Sequence, residues 1–429
     1  MNILMMTNTY VPIVGGIERS IEDFSSEYRS MGHKVLIVAP SFKNMPEEEE
    51  GVFRIPAIQN FNGTDFSVEV PVPGRLEGVL ERFSPDIVHS HHPFLVGDTA
   101  LRISANRKIP IVFTHHTRYE MNTHYVPGDS EALKKFVVEL SVGYCNLCDE
   151  VIAPSESIED LLRERGVETE IVTIPTGIKV SEFSRGDGDA SRKKLGIPPE
   201  AFCVGYLGRI AQEKNMLYLM DEVAPFLSDE ARAHFLLVGG GDLVDELKEK
   251  ARSMGISQRT HFAGLLKGQD KIDAYHAMDV LVFSSKSETQ GLVLAEAMAS
   301  GVPVIGIDAP GVREVIDSGN NGFLVGNGER GSFAGRLKEL LEMDERSRDS
   351  FRKAAFSTAE KFAYTKSVER TLDTYKRAIA RKRPRRNTDR STWASSKRAI
   401  QKEMQIITNV VKSAGAIFNP KKDEHEAGK

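Results

Sequence analysis

Twice along this chain, short apolar runs of strand character alternate with helical stretches, and few folds accept that pattern. In the first half the strand-like runs are Asn2–Thr7, Lys34–Ala39, Asp86–Ser90, Ile109–Thr114, Glu150–Ala153 and Ile171–Ile174. Helical stretches lie between them, among them Ile17–Met31, closed by Gly32, and Glu131–Leu147. The second half repeats the alternation at Phe202–Leu207, His234–Val238, Thr260–Phe262, Asp279–Phe283, Val302–Ile307 and Phe323–Val325. Strands followed each time by a helix argue for parallel sheets covered on both faces. The expected class is therefore α/β, with two Rossmann-like domains facing a central cleft and ligands beyond the carboxyl ends of the strands. A chain of 429 residues is long enough for two such cores. The expected division is 1–179, 191–360, a helix over 361–380 returning to the first domain, and a tail over 381–429. The polar stretch Ser181–Ala190, after Thr173-Ile-Pro-Thr-Gly177, reads as the linker.

The second half carries the segment Ser284-Ser-Lys-Ser-Glu-Thr-Gln-Gly-Leu-Val-Leu-Ala-Glu-Ala-Met-Ala-Ser-Gly301, between two strand-like runs. It predicts a βαβ unit whose helix starts near Gly291 and stops at Gly301. A helix start offers unpaired N–H groups and partial positive charge, which suits a phosphate. Glu288 lies just before the turn and Glu296 just inside the helix, so a diphosphate there could have a carboxylate on each side. On its own, such a pair is also compatible with a solvated helix face. Upstream, Gly205-Tyr-Leu-Gly-Arg209-Ile-Ala-Gln-Glu-Lys214-Asn215 follows another strand and sets two cations in a glycine-bearing loop. Fixed cations of this kind stabilise the charge that grows on a departing diphosphate and can stand in for a metal ion.

With both segments in view, the chain resembles the retaining glycosyltransferases of family 4, which have the GT-B fold, from residue 1 to about 380. Their Glu–seven residues–Glu signature is matched by Glu288 and Glu296, and their Arg and Lys by Arg209 and Lys214. The resemblance implies hexose transfer from a nucleotide diphosphate sugar, UDP-glucose favoured, to a hydroxyl acceptor with the α configuration retained. It implies that Glu288 contacts the sugar hydroxyls, that Glu296 contacts the ribose, and that Gly291 and Leu292 bring backbone N–H groups to the phosphate. Gly15 and Gly16 would face the donor diphosphate, Gly264 and Leu265 would read the base through backbone, and His116 would lie near the transferred sugar. The run His116-Thr-Arg-Tyr-Glu120, with His124-Tyr125 and Ser287-Glu-Thr-Gln-Gly-Leu292, is similar to bacterial and mycoplasmal members that glucosylate diacylglycerol. That favours a lipid acceptor. A soluble sugar or a lipopolysaccharide precursor stays open as acceptor, as does a sugar-nucleotide-binding protein without turnover.

Other readings of these residues are weaker. No Gly-x-Gly-x-x-Gly with an acidic ribose anchor follows the first strand, which argues against a nicotinamide enzyme. His89, His91, His92, His115 and His116 could be read as a zinc site, but no carboxylate or cysteine shares their spacing. Asp187-Gly-Asp189 has the form of an Asp-x-Asp metal motif and is expected to make only a turn. No metal and no cofactor is expected. Leu237-Val-Gly-Gly-Gly241 is similar to a donor-side turn, with no role given to its side chains. Cys145-x-x-Cys148 lacks a second ligand pair and reads as buried helix positions. Three cysteines, no apolar run of membrane-spanning length and an N-terminus that enters a strand directly point to the cytoplasm.

The tail departs from the rest in charge. From Lys376 to Lys402 there are eleven Lys and Arg against one acid, Asp389, a net +10 in a chain whose total is −5. Ile400, Met404, Ile407, Val411, Ala414 and Phe418 then recur at helical spacing. The pattern predicts attachment to the anionic inner face of a membrane, with a disordered solubilising tail as the alternative. Nucleic acid is not expected, because no reading module accompanies the charge.

Overall fold

The computed structural model describes residues 1–13, 15–42, 49–58, 68–69, 73–125, 130–286, 288–326, 328–382, 405, 408 and 409. They divide into two compact units, Met1–Ile174 with the chain from Val368, and Pro175–Ser367. The basic, amphipathic stretch predicted over 381–429 lies outside the described residues except for 381, 382, 405, 408 and 409. Val14, Ser287 and the acidic residues 47 and 48 are outside them too. No helix among the described residues is long and apolar enough to cross a membrane.

The first unit is a seven-stranded sheet in the order β3-β2-β1-β4-β5-β6-β7. Its strands are β1 (Asn2–Met6), β2 (Lys34–Pro40), β3 (Val52–Ile55), β4 (Ile87–Ser90), β5 (Ile111–Thr114), β6 (Glu150–Ala153) and β7 (Ile171–Thr173). All the pairings are parallel. Ile3, Leu4, Met5 and Met6 have no solvent exposure, so both faces of β1 are covered, as its unbroken apolar run requires. The alternation missed β3. It is a half-buried edge strand of four residues, interrupted by Arg54, so no unbroken apolar run marks it. Helix α1 (Gly16–Ser30) follows β1.

The second unit holds a six-stranded parallel sheet in the order β10-β9-β8-β11-β12-β13. The strands are β8 (Phe202–Leu207), β9 (Ala233–Val238), β10 (Thr260–Gly264), β11 (Val280–Phe283), β12 (Val304–Ile307) and β13 (Gly322–Val325). Helix α2 (Gly268–His276) joins β10 to β11, and α3 (Leu292–Ala299) joins β11 to β12. The stretch 181–190, read above as a linker, lies inside this unit. Asp187 there caps a helix over Gly188–Leu195, its carboxylate accepting from Ala190 N–H at 2.9 Å, so the Asp-x-Asp segment opens a helix rather than forming a bare turn.

The last described helix, α4 (Tyr364–Lys382), buries Val368, Leu372, Tyr375 and Ala378 at three- and four-residue spacing. From Val368 it belongs to the first unit. There Tyr375 packs edge-on against Tyr28, with centroids 5.9 Å apart, and Arg377 and Arg381 each reach Glu150 at 3.3 Å. Of the tail, Asn409 donates from its amide to the Leu140 carbonyl at 3.1 Å. All three cysteines are free and buried, and burial pushes the Cys145 thiol up to about 12, which leaves it unreactive.

Candidate active site

In the second sheet, β8 is flanked by β9 on one side and β11 on the other, so the connections leave it in opposite directions. A crevice opens at such a switch point beyond the carboxyl ends of the strands. The loop after β8 carries Arg209 and Lys214, and the loop after β11 carries Glu288 and Gly291. Ser284, fully buried at the end of β11, donates to the carbonyls of Lys214 and Asn215 at 2.9 and 3.2 Å and fastens the two loops together. Lys214 Nζ donates to Glu288 Oε1. Burial alone would raise the Glu288 carboxyl; the Lys214 charge, with hydrogen bonds from Lys214 and Ser285, outweighs it and holds the group below its ordinary range. Glu288 is thus an ionised, acceptor-only group at neutral pH. Arg209 is exposed, and its carbonyl accepts from the buried Tyr206 hydroxyl at 2.7 Å.

Glycine is required where these loops meet. Gly291 has φ +66° as the cap of α3, and a Cβ there would come within 2.8 Å of the Gly311 carbonyl. Gly291 has no side chain to cap α3, and no acid lies in the helix's own first turn. At Gly239 and Gly241 a Cβ would fall 1.8 Å from the Gly208 carbonyl oxygen and 2.1 Å from that of Ile210. The Leu237–Gly241 turn therefore buttresses the Arg209 loop with backbone alone. Gly264, at the end of β10, accepts from Gly239 N–H at 2.9 Å, and Leu265 after it is 68% exposed.

Glu296 has a different set of partners from Glu288. It is 5% exposed, and its Oε2 accepts from Lys271 Nζ at 2.6 Å and from the Tyr275 hydroxyl at 2.7 Å. Both partners come from α2, and the Lys271 ammonium also lies over the Phe183 and Tyr275 rings at 5.4 and 5.9 Å.

The first unit has a switch point of its own, since β1 lies between β2 and β4. Gly15 and Gly16 open α1 after β1, and both are exposed. At the neighbouring strand ends are the five histidines. His91 Nδ1 and His116 Nε2 are 2.9 Å apart, and Glu120 anchors the loop after β5 by pairing with Arg118 at 3.1 Å and Arg165 at 2.8 Å. Burial drives the ring pKa values down, to about 4 for His92 and His115. Among the described residues no group of three or more His, Cys, Asp or Glu is placed to hold a metal ion.

Residues 14–182 match the family described as Glycosyltransferase Family 4, and residues 187–358 the one described as Glycosyl transferases group 1. The chain is 31% identical over 347 residues to the alpha-monoglucosyldiacylglycerol synthase of Streptococcus pneumoniae, covering 80% of this chain and 78% of that protein. This chain belongs to the family 4 glycosyltransferases. The synthase of the same name from Acholeplasma laidlawii is 28% identical over 357 residues, covering 80% of this chain and 87% of that protein. The crystal structure of HepE from Anabaena in complex with UDP shares the GT-B fold, with TM-score 0.69 and 22% identity over 88% of this chain and 100% of that one.

Within this glycosyltransferase, the second unit joins Lys214 to Glu288 and brings the Arg209 and Gly291 loops to one edge. It gives Glu296 partners that the sequence did not flag, Lys271 and Tyr275. Gly311 was also missed: a Cβ there would lie 2.9 Å from the Gln290 nitrogen and the Glu288 carbonyl oxygen, so the loop after β12 supports the Glu288–Gly291 turn by close approach. A Gly after Pro310 is a routine turn signal, and only the sheet order reveals what it touches.

Proposed function

We propose that this glycosyltransferase moves glucose from UDP-glucose to the hydroxyl of a membrane lipid such as diacylglycerol, retaining the α configuration. The observation that carries the reading is the Lys214–Glu288 pair at the carboxyl edge of β8 and β11, next to the uncapped start of α3. A carboxylate held ionised accepts hydrogen bonds from sugar hydroxyls, while cations and helix N–H groups take the diphosphate. The bond from the anomeric carbon to the phosphate oxygen breaks as the acceptor oxygen bonds to the same face of that carbon. The acceptor proton passes to the leaving phosphate. Arg209 and Lys214 stabilise the charge that collects there, so the chemistry needs no divalent cation. Glu296 holds the ribose, Gly264 and Leu265 meet the base, Gly15 and Gly16 serve the diphosphate, and His116 contacts the transferred sugar. Glucose and diacylglycerol are favoured because two relatives are named alpha-monoglucosyldiacylglycerol synthases. The enzyme works at the inner face of the cell membrane.

Glu288→Gln tests the reading. It should abolish most transfer and leave donor binding, measured by calorimetry, largely intact. Near-normal turnover in that variant would overturn the assignment. Loss of transfer in EDTA with rescue by magnesium or manganese would overturn the metal-free chemistry.

A further inference from the structure

Two groups of the second unit hold the turn Glu288-Thr289-Gln290-Gly291. Lys214 pairs with the Glu288 carboxylate, and a Cβ at Gly311 would lie 2.9 Å from both the Gln290 nitrogen and the Glu288 carbonyl oxygen. A third contact comes from a side chain that the proposed reaction does not use. Gln290 is 5% exposed, and its Oε1 accepts from the Thr176 N–H at 2.7 Å.

That contact fixes which way the amide points. A main-chain N–H can only donate, so turning the amide end for end would set one donor against another. In the orientation that remains, Nε2 is buried with no hydrogen-bond partner among the described residues. An unmet buried donor is destabilising, so the side chain is retained for its accepting end. A glutamate would accept equally well and leave no donor unmet. It would also place a second carboxylate next but one to Glu288 in the chain and disfavour the ionised form that Lys214 maintains. Glutamine supplies the acceptor without the charge.

Thr176 is a firm point of attachment. It lies where the chain enters the second unit, beside Gly177, whose φ is +81° and where a Cβ would come within 2.6 Å of the Tyr364 Cα. Ile178 then donates to the Phe362 carbonyl at 2.8 Å and accepts from the Tyr364 N–H at 2.9 Å. The strand of chain around Thr176 is thus laced to main chain near residue 363 in the same unit, and a side chain tied to it cannot drift.

We propose that Gln290 is a positioning residue that ties the Glu288–Gly291 turn to the Thr176 N–H and so keeps Glu288 where Lys214 meets it. The inference rests on the proposed role of Glu288 toward the transferred sugar. Gln290→Met keeps the length of the side chain and removes the acceptor. Freed from Thr176, the turn lets Glu288 draw away from the charge that holds its carboxyl below the ordinary range.

Hydrogen exchange of the full chain, followed at single amides by NMR of protein labelled with 15N-threonine and 15N-isoleucine, reads the tie itself. In the unmutated protein the Thr176 amide should exchange slowly, and fast exchange there overturns the proposal without any variant. In Gln290→Met it should exchange at least tenfold faster while the Ile178 amide keeps its rate. No change at Thr176, or equal acceleration of both amides, overturns the proposal. In transfer assays with UDP-glucose and diacylglycerol vesicles, Gln290→Met should lower kcat/KM about tenfold, the worth of one well-made hydrogen bond, and move its acid limb to higher pH. A loss of rate with the acid limb unmoved overturns the positioning role. An unmutated protein with a slow Thr176 amide but no transfer would instead overturn the proposed function.

Discussion

Glu288 owes its charge to one neighbour. Burial pushes its carboxyl up, and Lys214 is the largest influence in the opposite direction. A depressed carboxyl pKa keeps the group ionised at and below the ordinary glutamate value of about 4.3, and ionisation is lost only as pH falls through the lower, folded value. Lys214→Ala leaves burial unopposed by that charge, so the acid limb of kcat/KM should move to higher pH while the rate drops by about 2–4 kcal/mol. Arg209→Ala should lose rate in the same range and move the acid limb less, because Lys214 is the largest influence that lowers the Glu288 carboxyl. A pH–rate profile of both variants separates the two cations. Each of these residues was legible in the sequence by type and spacing. Their pairing was not, because 74 positions separate Lys214 from Glu288 and only the adjacency of β8 and β11 joins them. Lys271 escaped for the same reason: a lone lysine on an amphipathic helix looks solvated until Glu296 is found beside it.

At the scale of elements, the alternating pattern marked twelve of the strands because each was apolar along its length or led directly into a helix. The edge strand β3, with neither signal, went unmarked. Sequence also marked the helix at the chain's end without showing what its buried stripe covers. Tyr375 on α4 answers that question, being fully buried with its hydroxyl on His89 and its ring on Tyr28. Tyr375→Phe should cost about 1 kcal/mol through the lost hydrogen bond, and Tyr375→Ala about 3–5 kcal/mol through the cavity. Denaturant unfolding checks both, and equal stability of the two variants would show that the ring does not anchor α4. In the second unit, Glu222 on the helix Met216–Asp229 is 3% exposed and accepts from Gly331 N–H at 3.1 Å, at the start of the helix Ser332–Glu342. Glu222→Ala should cost about 1–3 kcal/mol by leaving those N–H groups unsatisfied.

For the whole molecule, charge is distributed so that the segment from Lys376 to Lys402 carries +10 and the remainder −15. Each basic residue near an anionic leaflet contributes about 1 kcal/mol, so a fraction of them suffices for salt-sensitive attachment. Truncation after Lys382 retains α4 with its Arg381 pairs to Glu150 and Glu170. The truncated chain should stop sedimenting with phosphatidylglycerol vesicles at low salt, where the full chain sediments. Equal sedimentation, or no effect of salt, would show that the tail is not the anchor. The central claim is the transfer itself. Its most direct measurement is mass spectrometry, with NMR of the anomeric proton, on lipids extracted after incubation of the full chain with UDP-glucose and diacylglycerol vesicles. The expected product is diacylglycerol carrying one α-linked hexose, while a β linkage, or donor binding with no hexose on the lipid, would contradict the account.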